Sequence, residues 1–285
     1  LKILKYLIPY IIISTLQYYF AKDALSFASP FPFMAIRYIL AAAIMYGLAR
    51  KLIFNREVVI LSLLTVTSSC LWAYGLIYVS PAQSAVLSYS MPLFSLPIAY
   101  LLIREKPDKV ELVGLAVGLI GVLIYGIPLA HGFTLLGAVL TVTNAVFWGA
   151  FTVYYRKLMR YDPVSLNASQ FVLGSIPLVG LSFLTPHVQF TERFLADLAF
   201  TSVLGGAVSF FLWNSMVRIE KVAKVTVMSF SVPIFTTVLQ LVEALELPSL
   251  FTVSGLGTMF VGIVISRLKG GIAKVTDKQT EKSKA

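Results

Sequence analysis

Residues able to do acid–base, nucleophilic or metal chemistry are sparse in this chain. There are 2 histidines and 13 acidic residues in 285 positions, and the single cysteine, Cys70, has no disulfide partner. No His-Glu-x-x-His run occurs, His131 and His187 fall between apolar runs, and Tyr161-Asp162 stands without a second acidic residue inside an apolar segment. Catalysis needs a nucleophile–base pair or several converging ligands, so no enzyme, no metal site and no cofactor is expected. What the sequence offers instead is binding chemistry. Thr141, Asn144, Trp148 and Thr152 recur at steps of three, four and four, which puts hydroxyls, an amide and an indole on one helix face. Tyr10, Ser14 and Gln17 form a second stripe, and Thr226, Ser229, Pro233, Thr236, Gln240 and Glu243 a third. Such stripes serve either as interhelical glue or as the wall of a cavity.

The elements that carry these stripes follow from composition. Hydrophobic residues make up 58% of the chain and charged residues 13%, against about 25% charged in an ordinary soluble domain. That excludes a disordered chain, a disulfide scaffold and a water-soluble fold. Apolar runs divided by polar or proline punctuation predict ten membrane-spanning helices. The first five are Tyr6–Leu25, Phe31–Ala49, Val58–Val79, Ala82–Ile103 and Lys109–Ile127. The second five are Leu135–Tyr155, Pro163–Thr185, Leu195–Val217, Ala223–Ala244 and Leu250–Arg267. Tyr6–Leu25 is too long for a signal-peptide core and lacks a small-residue cleavage site, so it is read as a helix.

A net charge of +10 could suggest nucleic acid, but its distribution does not. With the N-terminus placed in the cytoplasm, 20 of the 23 basic residues fall on the inner side, Lys22 and Arg193 lie outside, and Arg37 sits within a span. This bias sets an orientation with both termini cytoplasmic in a multi-pass protein of the cell membrane; nucleic acid is not an expected partner. Arg37 reads as an anchor or an ion-pair member, with Glu243 as its candidate partner.

The chain repeats itself. Trp72, Ala82, Ser88, Ser90, Pro92, Phe94, Glu105, Pro107, Gly114 and Gly121 recur as Trp213, Ala223, Ser229, Ser231, Pro233, Phe235, Glu246, Pro248, Gly255 and Gly262, each 141 positions on. The domain reading is a first repeat over 1–127, a second over 135–268 and a basic tail over 269–285. Five helices is an odd number, so the second repeat must be inverted relative to the first. Trp72 and Trp213 are read as sharing a packing role, and Gly114-xxx-Gly118 as a close helix contact within the molecule. Pro92 and Pro233 each free a carbonyl inside a span, which makes them candidate hinges.

The stretches Ala82-Gln83-Ser84-Ala85-Val86-Leu87-Ser88-Tyr89-Ser90-Met91-Pro92 and Ala223-Lys224-Val225-Thr226-Val227-Met228-Ser229-Phe230-Ser231-Val232-Pro233, each followed by Glu, Pro and a glycine-spaced helix, resemble the drug/metabolite transporter superfamily, in its EamA-type branch of paired five-helix repeats. The resemblance implies an all-α, ten-helix carrier with a central cavity lined by the first, third, fourth, sixth, eighth and ninth helices. It further implies a small-molecule cargo, such as an amino acid or amphipathic compound, often moved outward. Candidate cavity residues on those helices are Ser14, Gln17, Ser88, Thr141, Asn144, Trp148, Asn214, Ser229 and Gln240. The expected partners are the cargo and the bilayer, with the chain a monomer or weak homodimer. A channel or lipid scramblase is the alternative, and an intramembrane enzyme is a more distant one.

Overall fold

The computed structural model describes residues 2–49, 51–129, 134–245 and 247–267. Expectations resting on Arg50, His131, Glu246 and the tail over 269–285 lie outside the described residues. Helices follow one another as α1 (Leu4–Ala24), α2 (Pro30–Leu48), α3 (Arg56–Tyr78), α4 (Pro81–Ser88), α5 (Pro92–Ile103), α6 (Lys109–Leu129) and α7 (Leu135–Lys157). The chain continues through α8 (Pro163–Ser182), α9 (Glu192–Ser202), a π-helical turn (Val203–Val208), α10 (Ser209–Ile219), α11 (Val222–Met228), α12 (Ser231–Ala244) and α13 (Leu250–Arg267). Eight segments are long and apolar enough to cross a membrane; α1 and the shorter apolar α13 complete ten. The fold is all-helical, with two repeats of five spans.

Helix starts are written in the sequence. Asn55, Thr134, Asp162 and Thr191 each accept a backbone N–H from the first turn of the helix that follows. Ser80 and Gln83 form a reciprocal capping box ahead of α4. Large apolar side chains face outward, such as Leu101 and Leu123 at 80% and 69% exposed, as hydrocarbon contact requires.

Three expected spans are not continuous. The fourth breaks between Ser88 and Pro92, and the ninth between Met228 and Ser231. In both, a proline that lacks an N–H enters just after the break, where its missing donor costs least. The eighth is widened by the π turn at Val203–Val208, which has no counterpart in α3, its repeat mate. The eighth span also begins at Glu192, and α8 ends at Ser182, three residues before the expected end.

Repeat symmetry reaches the backbone. The two non-glycine residues with positive φ among those described are Arg104 and Leu245, both at 54°, and they stand 141 positions apart at the ends of α5 and α12. The glycine helices α6 and α13 cross in a two-fold manner. A Cβ on Gly114 would lie 2.7 Å from the Gly262 carbonyl, and one on Gly255 would lie 2.9 Å from the Gly121 carbonyl. Exchanging the repeats turns the first contact into the second. Gly118 lies under the ring of Phe230, and its backbone also faces Gly262 across the crossing.

Candidate functional site

Between the repeats lies a cavity of about 80 Å³. Tyr10, Ser14, Gln17 and Tyr18 of α1 form one wall. Ser68, Ser69 and Trp72 of α3 form another, with Ser88 and Tyr89 at the break in the fourth span. The second repeat contributes Asn144 and Trp148 of α7, Gly205 of the π turn, and Ser209 and Phe210 of α10. Arg37 enters from α2.

The polar groups are tied across the repeats. Ser68 Oγ donates to Asn144 Oδ1 at 2.7 Å, and Asn144 Nδ2 donates to Ser88 Oγ at 3.1 Å. The Ser14 and Ser209 hydroxyls also meet across the repeats, 3.2 Å apart, and within the first repeat those of Tyr10 and Tyr89 lie 3.2 Å apart. Trp148 stacks on Phe151 at 5.0 Å between centroids and meets Phe210 edge-on at 5.3 Å. The site thus has aromatic walls and a few fixed hydroxyl and amide groups, the usual make-up of a small-molecule pocket.

Of the residues singled out from sequence, Ser14, Gln17, Ser88, Asn144 and Trp148 converge on this cavity, and Thr141, Asn214, Ser229 and Gln240 do not. Thr141 is fully buried beside Gly75 and donates to the Gly137 carbonyl. Thr152 accepts from Trp213 Nε1 at 3.1 Å. Asn214 donates to Asn167 Oδ1 at 2.7 Å, and Gln170 Nε2 donates to the same oxygen at 2.9 Å. These three belong to a buried polar cluster outside the cavity wall. Ser229 donates to the Thr226 carbonyl at 2.7 Å, although its repeat mate Ser88 faces the cavity. No described residue of the ninth span enters the lining, and the second span contributes Arg37.

Gln240 and Glu243 lie in a second space of about 570 Å³, with Tyr19, Lys22, Asp23, Arg193 and Asp197. Arg37 and Glu243 therefore form no ion pair. The Arg37 guanidinium bonds to carbonyls instead, Nε donating to Thr201 O at 2.9 Å and Nη2 to Gly205 O at 3.0 Å.

Sequence reasoning missed Tyr18, Ser68, Ser69, Trp72, Tyr89, Gly205, Ser209 and Phe210. A signal existed for one pair, because Ser68 and Ser209 also stand 141 positions apart and both reach the cavity. Trp72 lies in the cavity wall with its ring 5.5 Å from the Arg37 guanidinium carbon, whereas Trp213 is fully buried. Their repeat relation does not give them one role.

Comparison with known proteins agrees with this architecture. The sequence model of the EamA-like transporter family matches residues 2–127 and again residues 135–268. The chain belongs to this family. A relative from Acidianus ambivalens, named an uncharacterized transporter in the sor 3′ region, is 46% identical over 242 residues, 85% of this chain and 95% of its own length. The uncharacterized transporter YvbV of Bacillus subtilis is 24% identical over 270 residues, covering 89% of this chain and 88% of its own. A solved crystal structure shares the fold with a TM-score of 0.79 at 18% identity, covering 94% of this chain and 96% of that one. This EamA-like protein is a multi-pass membrane transporter.

Proposed function

We propose that the protein is a secondary transporter that moves a small metabolite outward across the cell membrane, exposing the central cavity alternately to either side. The observation that carries this reading is that both repeats contribute side chains to one polar and aromatic cavity lying between them. Of the four ion pairs that join the repeats among the described residues, three lie at one end: Glu105 to Arg156 at 2.5 Å, Glu111 to Lys221 at 3.4 Å, and Glu57 to Arg160. Glu105 also accepts the Val222 N–H at 2.6 Å, where α11 begins. The other end has the exposed pair Asp23–Arg193 at 2.5 Å and a short backbone bridge between Ala28 and Val188. It also holds the larger space around Gln240. By the distribution of basic residues, the end with the gathered pairs faces the cytoplasm, as do both termini. Pro92 and Pro233 are the hinges about which the broken spans rock. The α6–α13 glycine crossing is satisfied within one chain, which supports a monomer as the working unit.

Counterflow in liposomes tests this reading, with amino acids, nucleobases, sugars, carboxylates and amphipathic cations as cargo. Protein orientation is read by impermeant labelling of single cysteines at Gln189 and Arg160. The expected result is saturable, trans-stimulated flux of one class, with turnover lowered and half-saturation unchanged in Pro92→Ala and Pro233→Ala. Linear flux without trans-stimulation would mark a channel, and lipid flip alone a scramblase.

A further inference from the structure

We propose that the central cavity binds a compact organic monoanion by its carboxylate, with Arg37 as the recognising cation. The inference deepens the transport reading and rests on the cavity being the cargo site. Arg37 is 3% exposed and lines the cavity, and no carboxylate among the described residues lines it. A guanidinium so far from water normally has an acidic partner. Here its neighbours are neutral. Nε and Nη2 are held on the carbonyls of Thr201 and Gly205. With its amide turned to satisfy both neighbours, Gln17 accepts from Nη2 at 2.9 Å and donates to Gly205 O at 2.7 Å. Gly205 and Thr201 lie in and beside the π turn, a deviation that recurs at functional sites. A Cβ on Gly205 would lie 2.4 Å from the end of the Gln17 amide, so a larger residue here would push Gln17 out of its present place.

These bonds fix the guanidinium without neutralising it. Among the described residues the hydrogen-bond acceptor for Nη1 is the thioether of Met34 at 3.7 Å, a weak acceptor that a carboxylate oxygen outcompetes, and the Trp72 ring lies 5.5 Å from the guanidinium carbon. The same cavity holds the hydroxyls of Ser69 and Tyr18, and the apolar faces of Trp72 and Trp148 for a short hydrocarbon part. A cationic cargo would meet an uncompensated positive charge in a medium of low dielectric. An ammonium group would find no acid to pair with. The volume of about 80 Å³ limits the cargo to a few carbons unless the walls move.

The test uses the full chain in lipid nanodiscs and three probes of similar size and different charge: propionate, propionamide and propylammonium. Binding is read as the shift in thermal midpoint and by calorimetric titration. Propionate is expected to bind roughly tenfold or more tightly than the other two, a difference of about 1.4 kcal/mol or more. Alanine, which adds an ammonium, is expected to bind more weakly than propionate. Arg37→Gln loses the preference for the anion, and Arg37→Lys, which keeps charge but not the fork, retains part of it. The unmodified protein alone can overturn the proposal, which guards against a misfolded variant. Equal or tighter binding of the amide or the amine contradicts it, as does failure of every linear carboxylate from acetate to hexanoate to bind. The two readings separate cleanly. Propionate binding without trans-stimulated flux would leave this site standing and sink the carrier reading, while saturable flux of an amine would do the reverse.

Discussion

Trp72 and Trp213 show how one repeat position acquires two environments. Trp213 is fully buried, donates to Thr152 and lies 5.8 Å from Trp148 between ring centroids. Trp72 borders an existing space and sits edge-on to Tyr18 at 5.6 Å. Removing an indole from a filled core costs about 3–5 kcal/mol, whereas shortening one beside a cavity removes fewer contacts. Trp213→Ala is therefore expected to lower the apo thermal midpoint strongly. Trp72→Phe and Trp148→Phe should change that midpoint little but raise the half-saturation concentration for cargo. A Trp213→Ala protein as stable as the parent, or a Trp72→Phe protein with parental half-saturation, would reverse these assignments. At this scale the α1 stripe was legible, since Ser14 and Gln17 point where their spacing indicated. Arg37 was half legible: its place within a span could be read, but its partners are backbone carbonyls of the eighth span, Thr201 standing 164 residues away, which no side-chain pattern reveals. Asp197, 5% exposed, was missed as a buried group because it sits only one turn inside its helix.

Among the elements, the α6–α13 crossing depends most directly on single atoms. Gly121 faces the Gly255 carbonyl, with 2.7 Å to an added Cβ, while Gly257 has nothing within 4 Å. Both are glycines of apolar helices, so helix propensity cannot separate them. Gly121→Ala should destabilise by about 1–3 kcal/mol through overpacking against backbone. Gly257→Ala should be neutral or slightly stabilising. Thermal unfolding of the two variants side by side checks this, and equal effects would mean that the crossing does not hold the repeats together. Span number and position could be read because lipid demands about 20 apolar residues at a time. The breaks at Ser88–Pro92 and Met228–Ser231 could be suspected from proline but not placed, because a proline inside a span can also kink it without ending it. The π turn had no local signal beyond Gly205-Gly206, and it forms where Gln17 and Arg37 press against it.

At the scale of the whole molecule, the proposed transport cycle needs two ends that close in alternation around one cavity. Ion pairs at Glu105, Glu111 and Glu57 join the repeats at one end, and the larger space lies at the other. The 141-residue repeat made the inverted architecture legible; which end is closed depends on side-chain pairing between repeats and could not be read from either one. The most direct test is double electron–electron resonance in a Cys70→Ala background, with spin labels at Lys106 and Lys157 for the paired end and at Ser26 and Ser249 for the other. With Glu105→Gln introduced to release the paired end, the Lys106–Lys157 distribution should gain a longer population while the Ser26–Ser249 distribution gains a shorter one. Unchanged single distances at both ends, or both pairs lengthening together as in an opening channel, would contradict alternating access.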